Sequence, residues 1–316
     1  MVGLILFISA LSAAPGEWPV ETREIQALAE NEPKFQAALL ACYERERQTI
    51  NEAQDKMDAA RVAGNQSIVD DQVALIKKHT DILKQSFERA MEKYPENPRI
   101  LVPYGEILYD YAGDAEGGLR SWELALTKDS TCGAAHNNLA MHYCHNGEYE
   151  KGFQHLDESL ALEPKNPNYL FNAVQVYLVN FPQLATYKKW NREQIYLKAM
   201  EYSRLAAKLQ PKDYELTCDY AVNFLAAEDF GVPVKWADAA KAWQKARKNA
   251  QREDQCFFSW LNEGRAWVRG KNLAKAEKCV NEALKIIPNS DPAKALLADI
   301  KSERGSKTKP REKAQP

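Results

Sequence analysis

The sequence predicts an all-α protein in which about five helix–turn–helix repeats stack into an α-solenoid behind an N-terminal helical hairpin. Two observations lead to this fold class. Between residues 98 and 288, similar residues recur at a period of about 34 positions, which is typical of stacked helical repeats. Between residues 33 and 96, apolar residues recur at alternating steps of four and three, which is typical of helices packed along a seam.

Composition places the chain among ordinary globular proteins. Its 316 residues are 45% hydrophobic and 27% charged, with 14 Gly, 15 Pro and 6 Cys, so collagen, low-complexity chains and disulfide-stapled domains are excluded. A formal net charge of −2 supplies no overall positive field, which argues against a nucleic-acid partner. No apolar run approaches the roughly 20 residues that a membrane-spanning helix needs, so no integral membrane span is predicted.

The first 14 residues predict a signal peptide (1–14). Residues 2–14 are apolar except for Ser9 and Ser12, and the small residues at 12–14 resemble a cleavage site. This pattern predicts export to the periplasm or the extracellular space. The alternative is an apolar tail that packs on the first helices of a cytoplasmic protein, and it stays open because no Lys or Arg precedes Arg23.

Residues 20–96 predict a long antiparallel helical hairpin that caps the repeats. A break at residues 63–66 separates its two helices, and Ser67 with Asp70 resembles a capping box. The seam positions are Ile50, Ala53, Met57 and Ala60 before the break and Val69, Val73, Ile76, Thr80, Leu83, Phe87 and Ala90 after it. Dimerisation through this coiled-coil seam is the alternative, and capping is preferred because the seam is short and rich in Ala.

The repeats are visible as residues of matching size or chemistry at equal spacing. The matched pairs are Tyr109 with Tyr143, Gly113 with Gly147, Gly118 with Gly152, Trp122 with Leu156, and Ala125 with Ser159. Small residues such as Gly152 and Ser159 permit two helix axes to approach closely, and a large residue such as Leu156 fills the space between them. Each unit is therefore predicted to be two short helices joined by a turn.

This pattern resembles the tetratricopeptide repeat (TPR) family. The family pattern is Trp-x2-Leu-Gly-x2-Tyr followed by Ala, an aromatic residue, Ala and Pro. The last unit matches it best, with Trp260, Gly264, Trp267, Ala276, Ala283 and Pro288. The resemblance implies a right-handed α-solenoid over residues 97–290. A capping helix at 291–303, with Asp291 as N-cap, and a disordered basic tail at 304–316 are predicted to follow.

The other units depart from the family pattern in ways that predict local structure. The third unit carries about thirteen extra residues between its helices, and the fourth carries about six around residues 229–233. The first unit has Gly105 where Leu is usual and Ser130 where Pro is usual.

In TPR proteins the first helix of each unit lines a concave groove. The resemblance therefore implies a non-catalytic scaffold that binds a protein partner or peptide in this groove. Amide side chains of the groove would bond the backbone of the bound peptide, and apolar pockets would hold its side chains. The inward positions of this chain include Tyr104, Tyr111, Asn137, Met141, His145, Asn168, Phe171, Gln175, Arg265 and Arg269. The subclass that clamps a carboxylate with basic residues is not expected, because Pro103, Asn137 and Asn168 hold its basic positions.

The insert in the third unit is a second candidate binding surface. Aromatic and basic side chains interleave there at Tyr187, Lys188, Lys189 and Trp190, which suits an acidic peptide, a glycan or a nucleic acid. The alternative is that the loop folds back and covers the edges of the repeats.

A histidine and cysteine cluster suggests an alternative function, a metal- or small-ligand-binding carrier. Its members are Cys132, His136, His142, Cys144, His145 and His155, which are metal-ligand residue types. At about 100° per residue these side chains point to different faces of their helices. We therefore assign no metal site and no cofactor.

Catalytic motifs were not found in the sequence. There is no Gly-rich phosphate loop and no Gly-x-Ser-x-Gly nucleophile elbow, and carboxylate pairs such as Asp70 and Asp71 are predicted on solvated helix faces. The protein is therefore predicted not to be an enzyme. A structural assembly subunit is a further alternative, and the sequence does not set the identity of the partner or the oligomeric state.

Overall fold

The structure is a computed structural model that describes residues 18–308. Every regular element in that range is helical, which confirms the predicted all-α fold class. Within the described residues the chain forms two compact units, divided between residues 142 and 143. The predicted signal peptide and residues 309–316 of the predicted tail lie outside the described residues. Between residues 18 and 308, no helix is both long and apolar enough to cross a membrane.

The first unit begins with the hairpin. After a 3-10 turn at Val20–Thr22, its helices are α1 (Arg23–Gln26), α2 (Glu32–Val62) and α3 (Gln66–Lys93). The side chain of Asn65 accepts a hydrogen bond from the backbone N–H of Ile68 (3.3 Å) and so caps α3. The expected capping box of Ser67 and Asp70 is therefore wrong, because Asn65 supplies the cap and α3 already begins at Gln66.

The hairpin seam is buried along most of its length, as predicted. Leu39 and Phe87 are fully buried and share a core with Ile107 of the helices that follow. Val73 departs from the prediction, since 48% of its surface is exposed. At about 100° per residue Val73 is turned about 40° from Val69 toward the edge of the seam, because an α-helix does not repeat every seven residues.

The first repeat is built around a close helix crossing. Its elements are α4 (Pro98–Glu106), a π-helical turn at Ile107–Tyr111 and α5 (Ala115–Lys128). A Cβ atom at Gly105 would lie 2.4 Å from Nε1 of Trp122, and one at Gly118 would lie 2.8 Å from the carbonyl oxygen of Gly105. Only hydrogen fits at either position, which explains why Gly105 replaces the usual Leu.

The remaining repeats are helix pairs. Helix α6 (Gly133–His145) runs across the division between the units. The helices of the second unit are α7 (Tyr149–Leu162), α8 (Pro167–Val179), α9 (Phe181–Lys188), α10 (Arg192–Leu209), α11 (Tyr214–Val222), α12 (Trp236–Asn249), α13 (Glu253–Arg269), α14 (Leu273–Ile286) and α15 (Asp291–Thr308), with a 3-10 segment at Leu225–Phe230. The pairs α8 with α10, α11 with α12, and α13 with α14 form the third, fourth and fifth repeats.

Helix α15 closes the second unit. Ala293 and Ile300 are buried in the same core as the last repeat. The hydroxyl of Ser290 accepts from the backbone N–H of Ala293 (3.3 Å), so the N-cap is Ser290 and not Asp291. The helix continues to Thr308, five residues beyond the predicted end of the capping helix.

Candidate protein-binding face of the first helices

The first helices of the repeats carry most of the predicted groove residues. We call the side that bears these residues the first-helix face and describe it in each unit separately. In the first unit the hydroxyl of Tyr104 donates to Oε1 of Glu88 (3.3 Å). Burial raises the pKa of Tyr104 and of Tyr111 to about 12, so both hydroxyls remain hydrogen-bond donors at neutral pH. Met141, on α6, is partly exposed.

The structure corrects the assignment of Asn137. Only 6% of its surface is exposed, so it is not available on the face. Its neighbour Asn138 instead donates from Nδ2 to Oε1 of Glu106 (2.8 Å). One residue along a helix is a rotation of about 100°, so a displacement of one position changes the side of the helix.

Glu106 connects three helices of the first unit. Besides Asn138 on α6, the hydroxyl of Tyr43 on α2 donates to its Oε2 (2.6 Å). Burial, with a contribution from the Glu106 carboxylate, raises the pKa of Tyr43. Partial burial, followed by the nearby Glu106 carboxylate, also raises the pKa of Asp110. No sequence pattern marks Tyr43 and Glu106 as partners, because they are 63 residues apart and meet only in the fold.

In the second unit an amide–carboxylate bond crosses from one first helix to the next. Gln175 on α8 donates from Nε2 to Oδ1 of Asp219 on α11 (3.0 Å). The other oxygen of Asp219 accepts from Oγ of Ser203 (2.5 Å) and Nδ2 of Asn223 (2.9 Å). Partial burial raises the pKa of Asp219, although these three hydrogen bonds oppose the shift. The face therefore holds a carboxylate that is oriented by its neighbours.

The other predicted residues of α6 and α8 lie nearer to solvent. Asn168 is exposed in the first turn of α8, and Phe171 is partly exposed one turn later. His145 is exposed at the end of α6. These three side chains are therefore accessible to a partner.

Arg265 and Arg269 lie one turn apart at the edge of an open cavity of about 420 Å³, which Leu225, Val268 and Leu296 also line. Arg265 donates from Nη1 to Oδ1 of Asn262 (2.9 Å). Arg269 forms an ion pair with Glu228 (3.1 Å), and its guanidinium lies 4.9 Å from the ring centroid of Trp236. Both predicted arginines are thus brought together beside apolar side chains.

The helix pairs that carry this face match a known repeat. Residues 235–291, which span α12, α13 and α14, match a family model described as tetratricopeptide repeat. This part of the chain is similar to a tetratricopeptide repeat. The resemblance seen in Trp260, Gly264 and Trp267 is therefore confirmed, and a TPR fold is in general that of a protein-interaction scaffold.

Two solved TPR structures have the same fold, and a third is similar to part of the chain. The C-terminal part of a TPR repeat-containing protein from Cytophaga hutchinsonii is 14% identical, with 87% of this chain and 98% of that chain covered and a TM-score of 0.51. PilW, described as a widely conserved type IV pilus biogenesis factor, is 15% identical, with 79% and 99% covered and a TM-score of 0.50. YrrB, described as a TPR protein with an unusual peptide-binding site, is 18% identical, with 66% and 95% covered and a TM-score of 0.48. No curated protein matches the chain in sequence.

The insert of the third repeat folds back onto helices of the same compact unit. The hydroxyl of Tyr187 donates to Oδ2 of Asp157 (3.2 Å), and Nζ of Lys188 lies 2.5 Å from the same carboxylate. Trp190 packs edge-on against Tyr177, with ring centroids 6.3 Å apart. Lys189 is exposed and has a left-handed backbone (φ 56°). Of the four predicted insert residues, only Lys189 is left largely free of the packed surface, and this arrangement favours the structural alternative.

A single arginine links this insert to the extra residues of the fourth TPR unit. The guanidinium of Arg192 lies 4.6 Å from the ring centroid of Phe181 and 5.7 Å from that of Phe230. Its Nη2 donates to the backbone carbonyl of Asp229 (2.6 Å). The two phenylalanine rings are themselves in edge contact at 5.1 Å. The two inserts of the TPR region are therefore packed together.

Three members of the histidine and cysteine cluster, His142, Cys144 and His155, pack against neighbouring side chains or are buried. His142 stands edge-on to Tyr109 at 5.7 Å, and His155 is stacked on Tyr143 at 5.6 Å. Burial raises the pKa of Cys144 to about 11. Across residues 18–308 no group of three or more His, Cys, Asp or Glu side chains is arranged to hold a metal ion. The arrangement gives the metal-carrier alternative no support.

Proposed function

We propose that this TPR protein is a non-catalytic scaffold that binds an extended segment of a partner protein on the first-helix face. The observation that carries the proposal is the bond from Gln175 to Asp219, which spans two successive first helices beside the partly exposed Phe171. An extended peptide offers backbone N–H and C=O groups that such amides and carboxylates bind, and side chains that pack on an aromatic ring.

The chemistry of the face favours donors on the partner. Asp110 in the first unit and Asp219 in the second unit both have pKa values raised chiefly by burial. A carboxylate is a hydrogen-bond acceptor, so a backbone N–H group or a cation of the partner can pair with the lone pairs that remain open to solvent. We therefore expect a partner segment whose backbone amides, or whose Lys and Arg side chains, reach these carboxylates.

Export through residues 1–14 belongs to the proposal. Fractionation of the native cell, with detection of the mature N-terminus by mass spectrometry, tests it. A mature chain that begins after residue 14 in the exported fraction supports export, whereas an intact N-terminus in the cytoplasm contradicts it.

The test of binding is a cross-linked capture from native cells. Wild type is compared with the variant Asn168→Ala/Phe171→Ala/Gln175→Ala, whose changes all lie on α8. The matched control is Gln183→Ala/Thr186→Ala/Gln210→Ala, which truncates three exposed polar residues away from the face. A protein that wild type and the control capture, and that the folded α8 variant loses, supports the proposal. Equal capture by all three contradicts it.

A further inference from the structure

The extra residues of the fourth repeat create a cavity that the proposed function does not use. The cavity has a volume of about 490 Å³ and lies between α10, α11 and the segment 232–235. We call it the α10 cavity. None of its lining residues belongs to the predicted groove set.

The wall formed by residues 232–235 is fixed at its start. Gly231 takes a left-handed conformation (φ 73°), which glycine adopts without strain. The N–H of Val232 then donates to the carbonyl of Ala227 (2.9 Å). Phe230 is buried against Tyr196 of α10, with ring centroids 5.6 Å apart. The cavity is therefore a formed feature with a fixed wall.

The α10 side of the cavity is a solvent-exposed helical stripe of two apolar residues followed by an arginine. Leu197, Met200 and Arg204 follow one another at steps of three and four, which places them on one face of the helix. Leu197 is 51% exposed and Met200 partly exposed. Tyr220 of α11 and Phe224, two residues beyond the end of α11, pack edge-on at 5.2 Å and form the opposite side. Such a stripe beside aromatic rings suits large apolar side chains of a second helix or extended segment.

In the part of the chain that the structure describes, the acidic residues at the cavity rim have ion-pair partners, whereas its basic residues do not. Its two acidic residues are already paired, Glu201 with Lys198 (3.0 Å) and Asp238 with Lys241 (3.1 Å). Its two basic residues, Arg204 and Lys235, have no carboxylate within ion-pair distance in residues 18–308. The rim therefore presents two free positive charges next to apolar walls, and long-range attraction favours an acidic partner.

We propose that the α10 cavity docks an acidic amphipathic segment of a partner protein. One or two large apolar side chains of that segment enter between Leu197 and Phe224. Flanking Asp or Glu side chains pair with Arg204 and Lys235. This site is separate from the first-helix face, so either site can exist without the other.

The test uses three fluorescein-labelled hexapeptides and fluorescence anisotropy. The first has Leu-Phe at its centre with Glu on both sides, the second has Lys in place of every Glu, and the third has Ser-Ser in place of Leu-Phe. Wild type is expected to bind the first probe at least about fivefold more tightly than the other two. The variant Arg204→Glu/Lys235→Glu is expected to reverse the preference between the acidic and basic probes.

Two further variants separate the contacts from general charge and folding effects. Leu197→Ser removes an exposed apolar side chain, so the variant should fold normally. Its affinity for the acidic probe should fall by about fivefold to tenfold. Lys208→Glu/Lys212→Glu makes the same change of net charge at exposed positions outside the cavity and should leave the preference unchanged. Circular dichroism and thermal melting confirm that each variant is folded.

Three outcomes would overturn the proposal. One is equal binding of the acidic and basic probes by wild type, or binding of neither. The second is a reversal variant that keeps the wild-type preference, or a Lys208/Lys212 control that alters it as strongly. The third is a dimer, seen by light scattering, that Leu197→Ser dissolves, because the occupant of the cavity would then be a second copy of this chain.

Discussion

The N-terminal hairpin and the last repeat are both antiparallel helix pairs, yet they are stabilised differently. The hairpin helices have 31 and 28 residues, whereas those of the last repeat have 17 and 14. At the far end of the hairpin, Met57, Ala60 and Val69 form a small cluster of their own. The last repeat shares one extensive core with α12 and α15.

The difference shows that longer helices do not compensate for a lack of neighbouring helices to pack against. A long hairpin adds seam contacts in proportion to its length, but each contact is made by two helices only. A repeat of half that length is packed on both sides, so one buried side chain contacts several helices. We therefore expect core substitutions to cost more in the last repeats than in the far half of the hairpin.

The largest expected effect is at Trp243 on α12. Its side chain is fully buried and meets Phe258 edge-on at 5.5 Å, and Trp243→Ala leaves a cavity among three helices. We expect the free energy of unfolding to fall by about 3–5 kcal/mol, measured by urea denaturation. A loss below about 1 kcal/mol would show that the core of the last repeats collapses around the gap.

A smaller and local effect is expected at Met57 on α2. Met57→Ala removes the largest side chain of the far hairpin cluster and should cost about 2 kcal/mol. The physical consequence is opening of the hairpin end, so hydrogen exchange should quicken in peptides that cover residues 50–78. Exchange in α4 and α5 should not change. Equal acceleration in those helices would contradict the local account.

Gly264 tests the close crossing of the last repeat. A Cβ atom there would lie 2.9 Å from Cγ2 of Val280, so Gly264→Ala overpacks the crossing while it improves helix propensity. We expect a net loss of about 1 kcal/mol in thermal unfolding. The control is Gly305→Ala, where nothing lies within 4 Å of the added carbon. Stabilisation by both substitutions would show that the crossing has spare room.

The smallest effect is a pH dependence at Asp110. Burial and the nearby Glu106 carboxylate raise its folded-state pKa above the usual 3.8. The folded state therefore holds this proton more tightly, and stability falls as pH rises from the unfolded pKa to the folded pKa. Because solvent screens the site, Asp110→Asn should stabilise the protein at about pH 7 by only a few tenths of a kcal/mol, and by nothing at about pH 3. Urea denaturation at both pH values, with Asp71→Asn as control, measures this difference.

Sequence periodicity predicts the helices of this fold well. It predicts less well how each helix is rotated about its own axis, and so which residues face a given side. Gly118 and Trp122, which match Gly152 and Leu156 at the repeat spacing, are predicted at a helix crossing, and they lie at one. The groove assignment of Asn137 failed because a match to a repeat pattern fixes helix phase only to within a residue. Asn138 carries the contact to Glu106 instead.

The spacing of residues in the sequence does not predict contacts between residues that lie far apart in the chain. The alternation of aromatic and basic residues makes Tyr187 and Lys188 candidates for binding an external ligand. Their partner is Asp157, about thirty residues earlier on α7. No local pattern marks Asp157 as a receptor for this pair, because the sequence around it is an ordinary helix. These contacts favour the alternative that the loop folds back.

The arginine that joins the two inserts has a consequence for the modularity of this chain. Repeat proteins are usually shortened or recombined one unit at a time. Here Arg192 belongs to the third unit while Phe230 and the Asp229 carbonyl belong to the fourth. Removal of either insert alone would leave a cation and an aromatic ring without their counterparts. The third and fourth units are therefore expected to behave as one inseparable module, to be transplanted together or not at all.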